Sequence, residues 1–402
     1  MHIVYTGESA PLSVTKSIFL AGPSPRKETD ANWRAEAFEL LEQLGFDGVV
    51  YAPIFRDGVT PAGLKEGLKD AYAGQVDWET QYLNACDIIV FWVPRDLKTL
   101  PAFTTNVEFG MWLMSGKIVL GYPDTAEKMQ YLDFQGRLEG VPVLDNLSDT
   151  LAEAMARIGP GATRIGGERD IPIHLWKKPE FQTWYLNQKG AGNRLDGATV
   201  DWSFRIGKNK GLVFLYALHV NVWIASENRN KTNEILILRP NVSSIVAYCP
   251  PTGTAARTLE EVYGTEIVIV REFRAPVNNA EAMVYEVPGG SSAKPGEHPL
   301  VVASEEMREE TGLSISADRF QYLGTRQLAA TLTAYQSNVY AVQLTPEEIL
   351  DLKWEAGKAH GNHEDTEYTF VEILTVGEIL KGSLVDWSNV GMILSSLLGR
   401  EP

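Results

Sequence analysis

Residues 87–123 read DIIVFWVPRDLKTLPAFTTNVEFGMWLMSGKIVLGYP, and they decide the architecture of the first half of the chain. DIIVFWVP is a near-continuous apolar run closed by a proline, the pattern of a strand buried on both faces. NVEFGMWLMSG carries apolar residues at helical spacing, and KIVLGYP is a second buried strand. The same grammar extends outward from Ser17 to about Gly159. SIFLAG, GVVYAP and VPVLDN are further strands, and WRAEAFELLEQLG, VDWETQYLNAC and LSDTLAEAMARIG are further helices. Such alternation predicts an α/β domain with a doubly wound parallel sheet. Ligands of these sheets bind at the carboxyl ends of the strands. That singles out AGPSPR, the loop after YAP, and VPRDLKTLPAFTTN.

Beyond residue 160 the pattern changes. Residues 161–205 mix Gly, Pro, Trp and charge without a clear period, and read as a connector between a domain at 1–160 and another at 206–402. The second domain holds longer alternating runs (LVFLYALHVNVWIAS, EILILRP, SSIVAYCP, EIVIVREFR, MVYEVPGG), then the helix SEEMREETG, more strands, and a terminal helix near VGMILSSLLG. This is α+β with a mixed or antiparallel sheet.

The bulk numbers bound the function. A chain of 402 residues is too long for one core. Hydrophobic content of 44% and charged content of 22% are those of a soluble globular protein. A formal charge of −16 disfavours a nucleic acid polymer as partner, because such binding needs a basic surface. Small nucleotides stay open, since a metal ion can carry their phosphates. Two cysteines, Cys86 and Cys249, are too few for a disulfide framework. Neither a signal peptide nor a membrane span is evident, so the expected compartment is the cytoplasm.

Glu108 stands just after the third strand of this series. Thr105-Asn106-Val107-Glu108 fits a capping box, in which the glutamate satisfies a backbone N–H and does nothing more. The surroundings offer a second reading. SIFLAGPSPR, VDWETQYLNACDIIVFWVPR and PAFTTNVEFG together resemble the nucleoside 2-deoxyribosyltransferase-like family over most of residues 15–160. The resemblance implies a flavodoxin-like sheet and either base exchange or N-glycosidic cleavage on a nucleoside or nucleotide. It implies that Glu108, before Gly110, is the nucleophile, and that Asp77 and Asp87 are the base- and sugar-contacting acids. Asp77 and Asp87 fit equally well as caps. A carboxylate attacks the anomeric carbon once the leaving base is protonated, which splits one displacement into two. Glu79 and Asp77 are both candidates for that proton. The AGPSPR turn is either an ordinary loop or a holder of a sugar or 5′-phosphate through Gly22 and Arg26. Trp78, Trp92 and Trp112 are read mainly as core, with base stacking as the alternative.

In the second half, residues 284–313 read VYEVPGGSSAKPGEHPLVVASEEMREETGL. Glu305 faces Glu309 and Glu306 faces Glu310 along one helix, where like charges repel. A solvated acidic face is the bland reading, but such faces interleave lysines and this one offers only Arg308. Hard divalent cations want several carboxylate oxygens at one point. The segment resembles the Nudix hydrolase signature, with Glu297, Glu306, Met307, Glu309, Glu310, Gly312 and Leu313 in register. Two departures stand out. The gap from Gly290 to Glu297 is one residue too long, and Glu305 replaces the family's Arg, so support for the metal-binding glutamates comes from elsewhere or the site is weakened. The resemblance, over about Val213 to Leu398, implies an α+β Nudix fold with Glu306, Glu309 and Glu310 as ligands of Mg²⁺ or Mn²⁺. EIVIVREFRAPVNNAEAMVYEVPGG further resembles the branch acting on ADP-ribose and related nucleoside diphosphate sugars, through Arg271, Arg274 and Glu286. HGNHEDTEYTFVEI is either a solvated turn or the source of a further catalytic carboxylate, Glu364 or Glu367.

The expectation is a two-domain enzyme acting on small nucleotides. One domain would cut a pyrophosphate and the other an N-glycosidic bond. By analogy with related folds, the chain would assemble as a homo-oligomer. The rival reading is a nucleotide-binding sensor or scaffold with a degenerate Nudix site.

Overall fold

The structure, a computed structural model, describes every residue except 25–31, 57–67, 254–255, 257, 293, 295, 364–365 and 400–402. The chain divides into two compact units, Met1–Arg239 and Pro240–Pro402.

The first unit is built on a six-stranded parallel sheet. Its spatial order is His2–Tyr5, Val49–Ala52, Ser17–Ala21, Ile88–Trp92, Ile118–Gly121, Val143–Leu144. Counted from Ser17, the strands run 2-1-3-4-5, the flavodoxin-like order. Ser17–Ala21 and Ile88–Trp92 are buried at every residue, which is why their sequences are apolar throughout rather than alternating. The edge strand His2–Tyr5 was not expected, because its apolar run is only three residues long. Helices Trp33–Gln43, Leu68–Ala85, Phe103–Trp112, Gln130–Leu138 and Leu147–Ile158 complete the layers. Asn32 and Asn146 cap two of them by accepting from backbone N–H groups.

Residues 161–205 are more ordered than a connector. Helix Pro179–Gly190 buries Phe181 and Tyr185 against Trp176, with ring centroids 5.1 Å apart for Trp176 and Tyr185. Strands Arg194–Ile206, Leu212–Ile224 and Arg229–Leu238 then form their own antiparallel sheet. LVFLYALHVNVWIAS and EILILRP therefore belong to the first unit, and the division falls at Arg239–Pro240 rather than near residue 206. Periodicity identifies a strand but not the sheet that receives it.

The second unit holds a mixed sheet ordered Gln321–Gln327, Gln336–Gln343, Val242–Cys249, Glu266–Phe273, Thr369–Thr375, Ala359–His360. Val242–Cys249 and Gln336–Gln343 are parallel and the other neighbours antiparallel. Alternate residues serve two cores. Ile245 and Ala247 meet Ala303 and Met307 of helix Pro299–Thr311, while Val246 and Tyr248 meet Val390 and Ile393 of helix Trp387–Leu398. A period-2 strand with apolar residues on both faces requires this three-layer arrangement. Cys86 and Cys249 are buried free thiols. Among the described residues, no helix is long and apolar enough to cross a membrane.

Candidate functional site

The parallel sheet changes direction between Ser17–Ala21 and Ile88–Trp92, because successive connections leave Ser17–Ala21 on opposite sides. A cleft of about 510 Å³ opens at the carboxyl ends of these strands, within the usual range for a small ligand. Gly22 and Pro53 enter it from the strand ends, and Glu79, Glu108, Met111 and Trp112 from two helices.

Glu108 lies in helix Phe103–Trp112, which starts earlier than the sequence suggests. Its N-cap is Ala102, in a left-handed conformation at φ 55° with no side-chain cap. The expected Thr105–Glu108 capping box is therefore absent, and Glu108 sits in the second turn. Burial, then the charge of Glu79, push the Glu108 carboxyl up to about 7, against the pull of Arg34. Glu79 is also raised by burial, offset by a hydrogen bond donated from Gln75 at 2.9 Å and by Arg34. Two carboxyls and one cation thus share a desolvated space, an arrangement that partitions one proton between two acids.

The cation is a residue that the sequence reading missed. Arg34 is fully buried, and its pKa falls to about 10 through burial, opposed by Glu108 and Glu79. It donates to the carbonyls of Leu20, Gly22 and Pro23 at 3.1, 2.8 and 3.3 Å, and to Ser24 Oγ at 3.2 Å. The signal was readable: Arg34, Ala37 and Leu41 share one buried helix face. The turn it holds needs glycine at position 22. Gly22 has φ +150°, and a Cβ there would lie 2.2 Å from the Trp92 carbonyl oxygen.

The other N-terminal candidates separate. Asp77 is exposed and does not line the cleft. Asp87 precedes its strand, at the amino end of the sheet, and is fully buried in an ion pair with Arg164 at 2.7 Å. It also accepts from the Ser17 and Ile173 N–H groups at 2.9 and 2.8 Å, so its surroundings make it a structural acid remote from the cleft. Arg26 lies outside the described residues. Trp78 is core, donating its indole N–H to the Glu8 carbonyl at 2.8 Å, and Trp92 is buried. Trp112 lines the cleft, with a buried indole N–H that has no partner among the described residues.

In the second unit, helix Pro299–Thr311 starts with Pro at its first turn and ends at Gly312 in the left-handed conformation (φ 74°). Glu310 is buried and accepts from the Gly289 N–H at 2.8 Å. A Cβ on Gly290 would lie 2.3 Å from Glu306 Oε1. The Pro-Gly-Gly turn is therefore cut to fit beneath the glutamates. Burial, then Glu309, Glu367 and Glu305, push Glu306 up to about 7, against Arg274. Burial and Glu306 push Glu310 up as well, with Glu286 and Glu367 adding to the rise and the Gly289 bond opposing it. Glu309 is exposed and pairs with Arg308 at 3.1 Å.

Arg274 bridges Glu272 and Glu367 at 2.8 and 3.2 Å, and Arg271 pairs with Glu372 at 3.1 Å. Glu272, pushed up to about 7 by burial, was missed, although it continues the buried row of Val268 and Val270. Glu364 lies outside the described residues. Among the described residues, no three Asp, Glu, His or Cys side chains converge as a ready metal cage. The donor chemistry nonetheless suits a hard cation: Glu306 and Glu310 are desolvated oxygen donors that repel one another.

No curated protein matches the chain. Residues 15–126, which include Gly22, Arg34, Glu79 and Glu108, match the family described as Nucleoside 2-deoxyribosyltransferase like. The N-terminal part of this chain therefore carries a nucleoside 2-deoxyribosyltransferase-like domain.

Proposed function

We propose that the first unit cleaves the N-glycosidic bond of a nucleoside or nucleotide, or exchanges the base across it. The observation that carries this reading is the pairing of Glu108 and Glu79 in one cleft at the carboxyl ends of the switch-point strands. Glu108 is the nucleophile and forms a glycosyl ester at the anomeric carbon. Glu79 gives its proton to the departing base, and water or a second base then releases the sugar from Glu108. The positive charge developing on the sugar favours the ionised form of Glu108, which burial and the charge of Glu79 otherwise oppose. Arg34 acts through the turn at Gly22–Ser24, fixing its carbonyls and supplying a charge that biases both acids.

The test is release of free base. Nucleosides and nucleoside monophosphates are incubated with the whole chain, and base and sugar products are separated by chromatography. Glu108→Gln should retain its fold and lose release at least about a hundredfold. Failure to release base from any of these substrates, or undiminished release by the variant, would overturn the reading.

A second activity is supported by the mutual repulsion of Glu306 and Glu310 above the Pro-Gly-Gly turn. We infer metal-dependent hydrolysis of a nucleoside diphosphate derivative, as in a Nudix hydrolase. Glu306 and Glu310 would hold Mg²⁺ or Mn²⁺, with Glu309 one turn away on the same helix. A bound divalent cation supplies charge neutralisation at the pyrophosphate and an acidified water. Arg271 and Arg274 supply cationic contacts for the substrate, and Glu367, whose charge acts on Glu306 and Glu310, is a candidate base alongside Glu364. Turnover of ADP-ribose that requires Mg²⁺ and fails in Glu306→Gln supports this. Binding of ADP-ribose without turnover favours the sensor reading.

A further inference from the structure

A second cavity in the first unit, of about 630 Å³, lies at the opposite end of the parallel sheet from the Glu108 cleft. Its walls include Gly116, just before strand Ile118–Gly121, and Val141 and Pro142, just before Val143–Leu144, so it opens at the amino ends. It shares no lining residue with the cleft. Five cations line it, Arg137, Arg157, Lys178, Arg205 and Lys210, together with His174, and no Asp or Glu is among its described lining residues. In a chain of net charge −16, such a concentration of positive charge is not a by-product of composition.

The local acids form direct ion pairs with only part of this charge, Glu153 and Glu180 acting on Arg157 and Lys178 from beyond ion-pair distance. Asp133 holds Arg137 at 2.9 Å, and Glu139 holds Lys210 at 2.6 Å with Arg205 at 3.7 Å. Arg157 and Lys178 have no carboxylate within ion-pair distance among the described residues. Each instead donates to a main-chain carbonyl, Gly116 at 3.2 Å and Val213 at 2.7 Å. The Arg205 side chain is only 5% exposed, yet its buried Nε has no hydrogen-bond partner among the described residues. An orphaned guanidinium N–H costs free energy unless an acceptor reaches it. The Nδ1 of His174 is orphaned in the same cavity. Burial and the surrounding cations push the His174 pKa down to about 3, so it is neutral and can donate or accept without adding charge.

We propose that this cavity is a binding site for a phosphorylated small molecule, separate from the Glu108 cleft. The phosphoryl group would take the fork of Arg157 and the ammonium of Lys178, with Arg205 Nε completing its acceptor contacts; Arg–phosphate pairing is the strong form of this interaction. Val141 and Val213 give the uncharged part of the ligand an apolar wall. The volume admits a mononucleotide as well as a free phosphate or sugar phosphate.

The experiment is calorimetric titration of the whole chain with inorganic phosphate, adenosine 5′-monophosphate and adenosine, in low salt and again in high salt. Glu108→Gln serves as background, to block turnover in the cleft. Binding of phosphate alone, or of the nucleotide more tightly than phosphate, supports the site and identifies which part of the ligand it reads. In Arg157→Gln/Lys178→Gln on that background the affinity should fall at least tenfold, while the salt dependence flattens. Lys210→Gln, at a half-exposed position, gives a milder loss and stands in if the double variant fails to fold. Adenosine binding as tightly as its monophosphate, or phosphate affinity unmoved by these substitutions, would overturn the proposal.

Discussion

The Arg164 guanidinium grips Asp87 by both oxygens, Nη1 to Oδ1 and Nη2 to Oδ2, each at 2.7 Å with both side chains fully buried. Ser17 and Ile173 supply the remaining donors through two backbone N–H groups and one hydroxyl. The pair ties the amino end of the central strands to the segment after residue 160. Removing one partner strands a buried charge, which typically costs about 3–5 kcal/mol. Asp87→Asn and Arg164→Met should each lower the unfolding free energy by that order, read from urea denaturation, with base release from the surviving folded protein intact. An Asp87→Asn protein of normal stability that has lost only turnover would return Asp87 to the catalytic set.

Glu108 gives a pH profile with a definite sign. As nucleophile it must be ionised while Glu79 keeps its proton, so kcat/KM for base release should rise with pH toward about 7, where Glu108 ionises, and fall again once Glu79 loses its proton. A profile flat between pH 5 and 8 counts against that role.

The same carboxyl makes a stability prediction. Its folded pKa lies above the unfolded value near 4.5, so the folded state binds the extra proton and stability falls as pH rises from about 4.5 to 7. Glu108→Gln abolishes that penalty. Its melting temperature should exceed the wild type's at pH 8 and match it at pH 4, by differential scanning fluorimetry. This is the trade of stability for function expected of a buried reactive group.

Gly22→Ala tests the turn. The added methyl carbon meets the Trp92 carbonyl and the Trp33 ring at 2.2 and 2.8 Å, at a φ that L-residues avoid. A loss of roughly 2 kcal/mol or more is expected, together with a raised KM, because the turn borders the cleft. A variant of unchanged stability and KM would mean the turn yields freely.

Glu306 and Glu310 predict a metal response. Both are raised, Glu306 to about 7, so without metal the stability of the second unit should decline as pH rises toward 7. Millimolar Mg²⁺ at pH 8 should restore roughly 1–3 kcal/mol, read as a chelator-reversible rise in melting temperature. Glu306→Gln/Glu310→Gln should melt higher without metal and not respond to it. An identical Mg²⁺ response in the variant would move the cation elsewhere.

The sequence by itself determined the elements that are buried by their own composition. SIFLA, IIVFW and IVLG are apolar throughout, so no arrangement other than interior strands hides them, and the parallel sheet with Glu108 at a strand's carboxyl end follows. The helix with Glu306, Glu309 and Glu310 was legible because its periodicity and its charge are local. What only the tertiary structure decided is which distant groups share a low-dielectric space. Spacing cannot show that Glu79 rather than Asp77 meets Glu108, that Asp87 is consumed by an arginine seventy-seven residues away, or that Arg34 spends its donors on the Gly22 turn. Nor can it show that the strands from Arg194 to Leu238 join the first unit. A residue's chemistry is intrinsic, but its desolvation and its charged neighbours belong to the packed chain, and those set whether an acid is a nucleophile, a proton donor or a structural anchor.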